Sequence, residues 1–474
     1  MDYNFLLEVA MPFNSFLDYP LSWKPDRQKL KRPIYLSLAL QLETDIAGGV
    51  LLPGTKLPPQ RELADYLDIN FTTVTRAYKL CELKGLLYAV TGRGTFVSPS
   101  AAQSITISVG NLPRESIDLG FVSSFEQCNQ MIADTAKRIL GKGQFAQLVT
   151  YEHPSGMPHH KAAGVSWLRG LGVQTDVEHM AIVSGTQNGL ALTLLALFDP
   201  GNRIAVDTHT YANFIDLAKM YHLQLVPIAG DAEGMSAELL EEQCRLNPIQ
   251  GIFLMPSCCN PTTIMISEKR KCELAAVIQR HRLILIEDDI HAFLTAGIVE
   301  DYHGPMARFL PDQTVYFSGT SKPICSGLRV AYAAFGEPLR ERMLRAIFTV
   351  NVKTSSLDAE IITELLDNGT AFEIIAAKKE LAIQANQIFD RWFPDAPKMG
   401  HPLSFYRWLP IQSVPSGKEL EVHLQEYGVR VYHADRFLSG SIAAQQYLRV
   451  ALSSTKTLAE LERGFEILKS QILL

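Results

Sequence analysis

The stretch SGTSKPICSGLRVAY, residues 318–332, decides how the rest of the chain is interpreted. It places Lys322 just after the apolar, strand-like run TVYF, and Arg329 follows a little further on. A lysine in such a position is usually a surface residue, so this stretch alone predicts no chemistry. Its meaning depends on which other polar side chains the fold brings near it.

Upstream of this stretch, strand-length apolar runs alternate with helix-length segments. The runs are AIVS (181–184), RIAVD (203–207), GIFLM (251–255), LILI (283–286) and TVYF (314–317). This alternation predicts an α/β fold with a doubly wound, mainly parallel sheet. From about residue 395 the pattern becomes mixed, which predicts a small α+β C-terminal lobe.

Polar residues follow several of these strands at their carboxyl ends, where an open parallel sheet forms its ligand crevice. Asp288 follows LILI, Asn260 follows GIFLM, and Tyr211 lies just beyond RIAVD. Taken singly, these are more often an N-cap, a turn residue and a core residue. AIVS is followed by the opening of a helix, whose N-terminus suits a phosphate, at Gly185, Thr186 and Gln187.

The residue types at these strand ends match the needs of pyridoxal 5′-phosphate (PLP). This cofactor requires a lysine amine for its aldehyde, a carboxylate for its pyridine nitrogen, a donor to its phenolic oxygen, an aromatic ring over the pyridine, and phosphate donors. We assign the first four roles to Lys322, Asp288, Asn260 and Tyr211, and the phosphate to residues 185–187 with Arg329.

Residues 33–98 have a different pattern. A helix is predicted from Pro33 to the Gly48-Gly49 pair, followed by short helices in QRELADYLDI and NFTTVTRAYKLCELKG. In the last of these, Asn70 is the expected N-cap, and Val74, Ala77, Tyr78 and Cys81 form the buried stripe. The β-like runs LLYAV and TFVS flank a tight turn. Three helices and a hairpin predict a winged helix-turn-helix.

The exposed face of the third helix is the candidate DNA reader. Short hydroxyls and long cations there can reach base edges and phosphates in a major groove. This face carries Thr72, Thr73, Arg76 and Lys79; Arg61 opens the preceding helix, and Gly92, Arg93 and Gly94 form a wing tip suited to the minor groove. The charge balance does not favour DNA, because residues 1–98 contain 11 basic and 10 acidic residues. A solvated helix with incidental threonines and arginines is the alternative.

The motifs of residues 33–98 resemble the GntR-family winged helix. They are Tyr35 in the first helix, G-x-x-x-P-G-x-x-L-P at 49–58, R-x-L-A at 61–64, T-V-x-x-A-Y at 73–78 and G-x-G-T-F-V at 92–97. The resemblance implies binding to double-stranded DNA. Phe71 stands where the family usually has an arginine beside the helix cap, which leaves the operator sequence open.

Residues 116–474 resemble the fold-type-I PLP-dependent transferases, especially the aminotransferase-like domains of the MocR group of GntR regulators. The matching motifs are Y-x-x-P-x-G at 151–156, N-P-T at 260–262, E-D-D at 287–289, and S-K at 321–322 with G-L-R-V-A-Y at 327–332. The resemblance implies PLP on Lys322 and a homodimer, whose two heads suit a repeated or palindromic operator. The motif spacing favours Asp288 over Asp289, and Arg449 stands where family members bind a substrate carboxylate.

Several residues depart from the family pattern. His291 stands where a tyrosine near the phenolic oxygen is common, and Gly319 stands at the usual phosphate-binding serine or threonine, for which Thr320 or Ser318 is the expected substitute. Thr263 replaces a glycine and Ser326 a proline. These departures imply an altered phosphate cup and altered proton transfer, which suit a binding domain with poor turnover.

The bulk properties are those of a soluble protein with 47 % hydrophobic residues and a net charge of −6. Seven cysteines without a CxxC pair predict a reduced, cytoplasmic protein with no metal site. No apolar run is long enough for a bilayer, and the N-terminus lacks a secretory pattern. We predict an extension (1–32), the winged helix (33–98), a linker (99–115) and the aminotransferase-like domain (116–474).

Three functions are compatible with the sequence. The first is a transcription regulator whose PLP-binding domain senses an amine, an amino acid or PLP itself. The second is a working aminotransferase with an accessory DNA-binding domain. The third is a regulator that has lost PLP and uses the cleft for another ligand.

Overall fold

The computed structural model describes residues 21–47, 50–52, 54–83, 85–90, 93–98, 107, 116–141, 145–295, 302–398, 400–412, 416–440 and 445–472. The chain divides into two compact units, Met1–Gln103 and Ser104–Leu474. Each unit has a hydrophobic core of its own. Among the described helices, none has the length and apolar content needed to cross a bilayer.

The first unit is a winged helix-turn-helix, as predicted. It consists of α1 (Ile34–Ala47), α2 (Gln60–Leu67), α3 (Phe71–Leu83) and an antiparallel hairpin of β1 (Leu87–Val90) and β2 (Gly94–Val97). The predicted stripe of α3 is confirmed, since Val74, Ala77, Tyr78 and Cys81 are all buried. The Oδ1 atom of Asn70 accepts from the backbone N–H of Thr72 at 2.8 Å, so the predicted cap is also present.

The folded part of this unit begins before Pro33. Trp23 is 4 % exposed and packs into the core of the unit. Its indole N–H donates to the Asp45 carboxylate on α1 at 2.8 Å. Residues 21–32, which the sequence assigned to an extension, therefore contribute to the core. A single aromatic residue in a segment without periodicity gives no sequence signal of this packing.

The second unit is built on a seven-stranded mixed sheet in the order β4-β12-β11-β10-β9-β5-β6. Its strands are β4 (Met180–Val183), β5 (Arg203–Asp207), β6 (Gln224–Ile228), β9 (Gly251–Leu254), β10 (Ile284–Asp288), β11 (Thr314–Gly319) and β12 (Ala331–Phe335). Among the described strands of this sheet, only β12 runs antiparallel to its neighbours, which are β4 and β11, so the prediction of a mainly parallel sheet is confirmed.

Helices cover both faces of this sheet. Ile286 packs into a cluster with α7 (Thr186–Leu197), α8 (Ala212–Met220) and α12 (Glu337–Asn351), whereas the adjacent Leu285 packs with α9 (Ala237–Leu246) and α10 (Glu268–His281). The remaining helices of the first half of the unit are α4 (Gln130–Leu140), α5 (Phe145–Leu148), α6 (Pro158–Gly170) and α11 (Ala292–Thr295), and a short hairpin is formed by β7 (Gly230–Asp231) and β8 (Gly234–Met235).

The C-terminal lobe follows α13 (Ser356–Asp367) and the long α14 (Thr370–Trp392). Its antiparallel sheet has the order β13-β16-β15, and the predicted α+β lobe is confirmed. The elements are β13 (Tyr406–Ile411), α15 (Gly417–Glu426), β14 (Val429–Arg430), β15 (Tyr432–His433), β16 (Gln446–Ala451) and α16 (Leu458–Gln471). The lobe also includes β3 (Ile117–Asp118), which pairs with β14 across more than 300 residues. Such a pairing has no local signal in the sequence.

Candidate cofactor-binding site

The loops that follow β4, β5, β9, β10 and β11 meet at one end of the sheet and enclose a cavity of about 320 Å³. Most of the residues that the sequence predicted for the cofactor and its ligand line this one cavity. They are Lys322, Asp288, Asn260, Tyr211, Thr186, Gln187, His291, Arg329 and Arg449. Gly185 and Thr320 do not line it.

Lys322 lies on the turn after β11 and presents its amine to the cavity. The Nζ atom donates to the carbonyl oxygens of Val122 and Ser123. Burial lowers the pKa of Lys322 to about 7, and the positive charges of Arg449, Lys378 and Arg329 act in the same direction. A large fraction of this amine is therefore neutral near pH 7, which is the form that attacks an aldehyde carbon.

A second lysine, which sequence reasoning missed, supports the turn that carries Lys322. The side chain of Lys378 on α14 is fully buried. Its Nζ donates to the carbonyl oxygens of Lys322 at 3.1 Å and Ile324 at 2.8 Å. Burial lowers the pKa of Lys378 to about 8. This lysine therefore holds the backbone of the turn and places a positive charge behind the Lys322 amine.

Three consecutive acidic residues at the end of β10 have different environments. Glu287 accepts from the backbone N–H groups of Met306 and Ala307, and Asp289 accepts from that of Ser257. Asp288 lines the cavity, and its Oδ1 is buried without a partner among the described residues. Burial, followed by the Asp289 charge, raises the pKa of Asp288 to about 7. A protonated ring nitrogen would give Asp288 the partner that it lacks.

The phosphate end of the predicted site lies at the N-terminus of α7. The Thr186 hydroxyl and the side-chain amide oxygen Oε1 of Gln187 are buried and make no hydrogen bond to the described residues. Gly185 has a φ of +84°, and a Cβ there would come within 2.4 Å of Arg329 Nη2. The glycine thus lets the Arg329 guanidinium approach the helix end, where helix amides and a cation favour an anion.

The structure offers a physical reason for the departure at Gly319. A Cβ at this position would lie 2.5 Å from Thr186 Oγ1, so the threonine hydroxyl occupies the space that a side chain at 319 needs. The two expected substitutes face elsewhere: the Thr320 hydroxyl donates to the Val330 carbonyl at 2.8 Å, and Ser318 Oγ accepts from the Trp167 indole at 2.9 Å. Ser321, which was not predicted, does line the cavity.

His291 contributes a neutral imidazole to the cavity. Both ring nitrogens are buried without a hydrogen-bond partner among the described residues. Burial, reinforced by the charge of Lys322, lowers the pKa of His291 to about 3. Its ring packs edge-on against Tyr406, with centroids 5.5 Å apart. The Tyr406 hydroxyl donates to the Cys258 carbonyl at 3.1 Å. Of these two residues, His291 is therefore the one whose polar atoms remain available for a hydrogen bond to a ligand.

Arg449 on β16 is a cation that is 1 % exposed. Its Nη1 donates to Asn260 Oδ1 at 2.9 Å and its Nη2 to the Gly120 carbonyl at 2.6 Å. Burial lowers the pKa of Arg449 to about 10, so the guanidinium stays charged at neutral pH. Within the described residues its Nε has no partner. A buried guanidinium with spare donors suits a carboxylate.

One residue of the predicted linker also lines this cavity. The backbone N–H of Ile107 donates to Asn213 Oδ1 at 2.8 Å, and Asn213 Nδ2 donates to the Ile107 carbonyl at 3.2 Å. The Ile107 side chain is buried in a small apolar cluster with Ala212 and Phe437. Asn213 and Ala212 directly follow Tyr211, so the linker at residue 107 is attached to the cavity wall.

In the first unit, the predicted DNA-reading side chains are accessible. Thr72, Arg76 and Lys79 on α3 are exposed, and Thr73 is half-exposed. The Arg76 guanidinium lies 4.2 Å from the centroid of the Tyr35 ring on α1, which holds it against the face of the helix. Arg61 is also exposed, with its guanidinium 5.7 Å from the ring of Phe71.

At the wing, Arg93 and Gly94 are exposed, whereas Gly92 lies outside the described residues. Gly94 has a φ of +115°, and a Cβ there would lie 2.9 Å from Lys56 Cε. Lys56, which sequence reasoning did not select, therefore adds an exposed cation beside the wing. Only its position next to β2 in the fold reveals it.

Two family models match the chain. Residues 34–97 match "Bacterial regulatory proteins, gntR family" and residues 122–468 match "Aminotransferase class I and II". A kynurenine aminotransferase from Pyrococcus horikoshii has the same fold as the second unit. The two structures match over 75 % of this chain and 90 % of the aminotransferase chain, with a TM-score of 0.68 and 18 % sequence identity. Proteins of this fold typically bind PLP.

Transcription regulators are among the relatives of the chain, and one of them matches over both units. An uncharacterized HTH-type transcriptional regulator of Bacillus subtilis, YdeF, is 36 % identical over 459 residues, which are 97 % of this chain and 98 % of that protein. The probable rhizopine catabolism regulatory protein MocR of Rhizobium meliloti is 26 % identical over 54 % of this chain and 56 % of its own length. The vitamin B6 salvage pathway transcriptional repressor PtsJ of Salmonella typhimurium is 28 % identical, over 61 % and 64 %.

A GntR-type winged helix followed by an aminotransferase-like domain defines a class of protein, the transcription regulators with an aminotransferase-like domain. Regulators with a GntR winged helix bind DNA. YdeF matches this chain over both parts. The chain belongs to the MocR group of the GntR family.

Proposed function

We propose that this regulator binds PLP through Lys322 and that an amine, an amino acid or PLP itself is the effector that changes its affinity for operator DNA. One observation carries the proposal: polar residues from separate strands converge on one cavity, and several of them bury atoms without a partner among the described residues. A buried polar group without a partner costs free energy, which a ligand with matching groups recovers. The printed name of PtsJ links that relative to vitamin B6.

When bound, PLP supplies an electrophilic aldehyde carbon and an electron-withdrawing ring. Lys322 offers an amine that is partly neutral near pH 7 and that the carbonyl oxygens of Val122 and Ser123 orient. The Asp288 carboxylate would stabilise a proton on the ring nitrogen, and Asn260 would donate to the phenolic oxygen while its own Oδ1 accepts from Arg449. The Tyr211 ring, which lines the cavity, would pack against the pyridine. The α7 N-terminus and Arg329 would hold the phosphate.

The effector end of the cavity favours a carboxylated amine. The Arg449 guanidinium lines the same cavity as Lys322, and its hydrogen-bond acceptors among the described residues are the neutral oxygens of Asn260 and Gly120. A carboxylate would replace a neutral acceptor by a charged one, which strengthens the hydrogen bond. An amino acid would thereby place its amine near Lys322 and its carboxylate on Arg449.

A ligand switches a regulator only if it binds two arrangements of the protein with different affinity. The attachment of Ile107 to Asn213, beside Tyr211, supports a route for this difference, since the linker leads from the cavity wall toward the DNA-binding unit in sequence. We further propose a homodimer, in which two winged helices read a repeated or palindromic operator through Arg61, Thr72, Thr73, Arg76, Arg93 and Gly94.

The cofactor proposal is tested by adding PLP to the purified protein, reducing it with borohydride and mapping the modified peptide by mass spectrometry. We expect one pyridoxyl group per chain, on Lys322, and none in Lys322→Ala. Lys137→Ala, which changes an exposed lysine, is the matched control and should be modified like the unaltered protein. A protein that stays colourless with PLP and yields no reduced adduct would contradict the proposal and favour a cleft with another ligand.

A working aminotransferase is the second candidate, because Lys322, Asp288 and Arg449 all line the cavity. Incubation of the PLP-loaded protein with an amino acid and a keto acid separates the two functions. Product formation over many turnovers would support the enzyme. A single conversion of the bound cofactor, together with an effector-dependent change in operator affinity, would support the regulator.

A further inference from the structure

A second group of ligating side chains shares no residue with the lining of the cofactor cavity. It comprises His159 and His160 at the start of α6 and Glu360 on α13. The sequence predicted no metal site, because its cysteines lack paired spacing. The two histidines are about 200 residues from the glutamate, so no short motif marks this group. We propose that these three residues bind one divalent transition-metal ion of the zinc type.

The geometry brings three ligand atoms to one point. The Nε2 atoms of His159 and His160 each lie 2.8 Å from the same atom, Glu360 Oε2. All three ligand atoms lie within 4.8 Å of one another. Ligands on a zinc ion, at about 2.0–2.2 Å from the metal, are separated by roughly 3–3.5 Å. To hold an ion, the two N···O distances would lengthen by a few tenths of an ångström, and the two imidazole nitrogens, which lie within 4.8 Å of each other, would stand at this separation.

The partners of the cluster also favour a cation. In the described part of the chain no lysine or arginine forms an ion pair with Glu360, whose Oε2 is contacted by the two imidazoles. The cluster thus offers two imidazole nitrogens and one carboxylate oxygen, which are ligand types that zinc accepts.

The surroundings leave room for the rest of a coordination shell. A cavity of about 40 Å³, lined in part by His159, Glu360 and Met157, adjoins the cluster and is large enough for a water molecule. The His160 side chain is 1 % exposed, whereas that of His159 is 50 % exposed and provides access from solvent. Two histidines, one carboxylate and a water are a common zinc ligand set.

Two other histidine–carboxylate groups lack this arrangement and serve as internal controls. His179 uses opposite ring nitrogens to contact Asp176 and Glu337, so its two carboxylates do not meet at one point. His281 contacts Glu241, which already accepts from Arg280 and Arg245. Both groups are ion-pair networks.

The test is isothermal titration of the full-length, PLP-loaded protein with Zn²⁺, together with His159→Ala, Glu360→Gln and the control His179→Ala. We expect one zinc ion per chain in the unaltered protein and in His179→Ala, with affinity reduced at least tenfold in the other two variants. His159 is half-exposed, so its removal leaves the core intact; circular dichroism checks the fold. Zinc binding unchanged by both variants, or no binding at all, would overturn the proposal.

Cobalt gives a second readout that a merely structural effect would not produce. Co²⁺ in a four-coordinate site of two imidazole nitrogens, a carboxylate oxygen and a water has an absorption band in the visible range. This band should be absent in His159→Ala. Zinc should also raise the unfolding temperature of the unaltered protein but not that of Glu360→Gln, because a ligand that binds only the folded state stabilises it. A cobalt band retained in both variants would place the ion elsewhere and contradict the assignment.

Discussion

At the residue scale, the candidate site depends on small differences between neighbouring side chains. Glu287, Asp288 and Asp289 are consecutive, yet two of them accept from backbone amides and Asp288 alone of the three lines the cavity. Likewise, the Thr186 hydroxyl occupies the position that a side chain at residue 319 would need, and the glycine at 319 leaves that position free. The residues available to bind a ligand are therefore those whose side-chain atoms face the cavity and are not already hydrogen-bonded within the protein.

Gly319→Ser should weaken PLP binding about tenfold. Its side chain would meet the Thr186 hydroxyl and push it away from the phosphate end, at a cost comparable to one hydrogen bond to a charged group. The double variant Gly319→Ser, Thr186→Ala should recover most of the affinity, because the serine then has room to supply the hydroxyl. PLP titration followed by absorbance measures both. Additive losses in the double variant would contradict this exchange of roles.

The attachment of PLP should depend on pH near neutrality. The pKa of Lys322 is lowered to about 7, so its amine loses its proton as the pH rises through 7, and the rate of adduct formation should rise over the same interval and then level off. Lys378→Met removes a nearby positive charge that lowers this pKa, so the apparent pKa of the rate should move upward. Stopped-flow absorbance from pH 6 to 9 measures it.

Lys378→Arg is the control for that experiment, since it keeps the charge. If Lys378 only supports the fold, the two variants will change the amplitude of adduct formation without moving the midpoint of the pH profile.

The lowered pKa of Lys322 also affects the stability of the cofactor-free protein. The unfolded amine has a pKa near 10.4, so the folded chain binds fewer protons between about pH 7 and 10, and the cofactor-free protein gains stability from this group as the pH rises.

Sequence reasoning located Lys322, Asp288 and Asn260 because each follows an apolar strand at the same end of a sheet. The same argument applies to the residues before Lys322, but it selected Thr320 or Ser318 and not Ser321, and it could not locate Lys378. Lys378 lies within a long helix, where a lysine is usually a solvated residue, and only the packing of α14 under the turn reveals its buried amine. Residues that act through the backbone of another residue leave no pattern of their own.

At the scale of elements, the recognition helix α3 was predicted most completely, because its stripe, cap and motif agree with one another. Its cap gives a direct test. Asn70→Ala removes the acceptor for the Thr72 amide and should destabilise the first unit by about 1 kcal/mol. Asn70→Ser keeps an acceptor and should lose only a small part of this stability. Urea unfolding followed by circular dichroism measures both, and equal losses would show that the cap is not the cause.

The exposed face of the same helix should carry operator affinity. Arg76→Ala should weaken binding to the promoter beside its own gene by roughly 1–3 kcal/mol, the cost expected when an arginine loses a base contact. Arg169→Ala, which removes an exposed arginine from the second unit, has the same change in charge and should have little effect. Fluorescence anisotropy at two salt concentrations measures both. Binding that is insensitive to salt would contradict a phosphate-dependent interface.

At the scale of the whole molecule, the regulator works only if the cavity and the DNA-binding unit are coupled energetically. Coupling of this kind is reciprocal: an effector that changes DNA affinity by some factor requires that DNA change effector affinity by the same factor. Residues 99–115 were predicted as a linker from their composition alone. The hydrogen bonds of Ile107 to Asn213 give one described point of this linker a fixed place on the cavity wall, which composition could not predict.

Asn213→Ala removes both hydrogen bonds to Ile107, each of which contributes about 0.5–1.5 kcal/mol. If the linker transmits the state of the cavity, this variant should still form the Lys322 adduct and still bind the operator, but the effect of an amino acid on operator affinity should fall severalfold. By reciprocity, the effect of operator DNA on amino-acid affinity must fall by the same factor.

Ile107→Ala removes the buried side chain and keeps the backbone hydrogen bonds to Asn213, so it separates the apolar contact from the hydrogen bonds. Asn202→Ala, in a turn of the same unit, is the control. A full effector response in both Asn213→Ala and Ile107→Ala would exclude this point of the linker from the coupling and leave the cofactor assignment untouched.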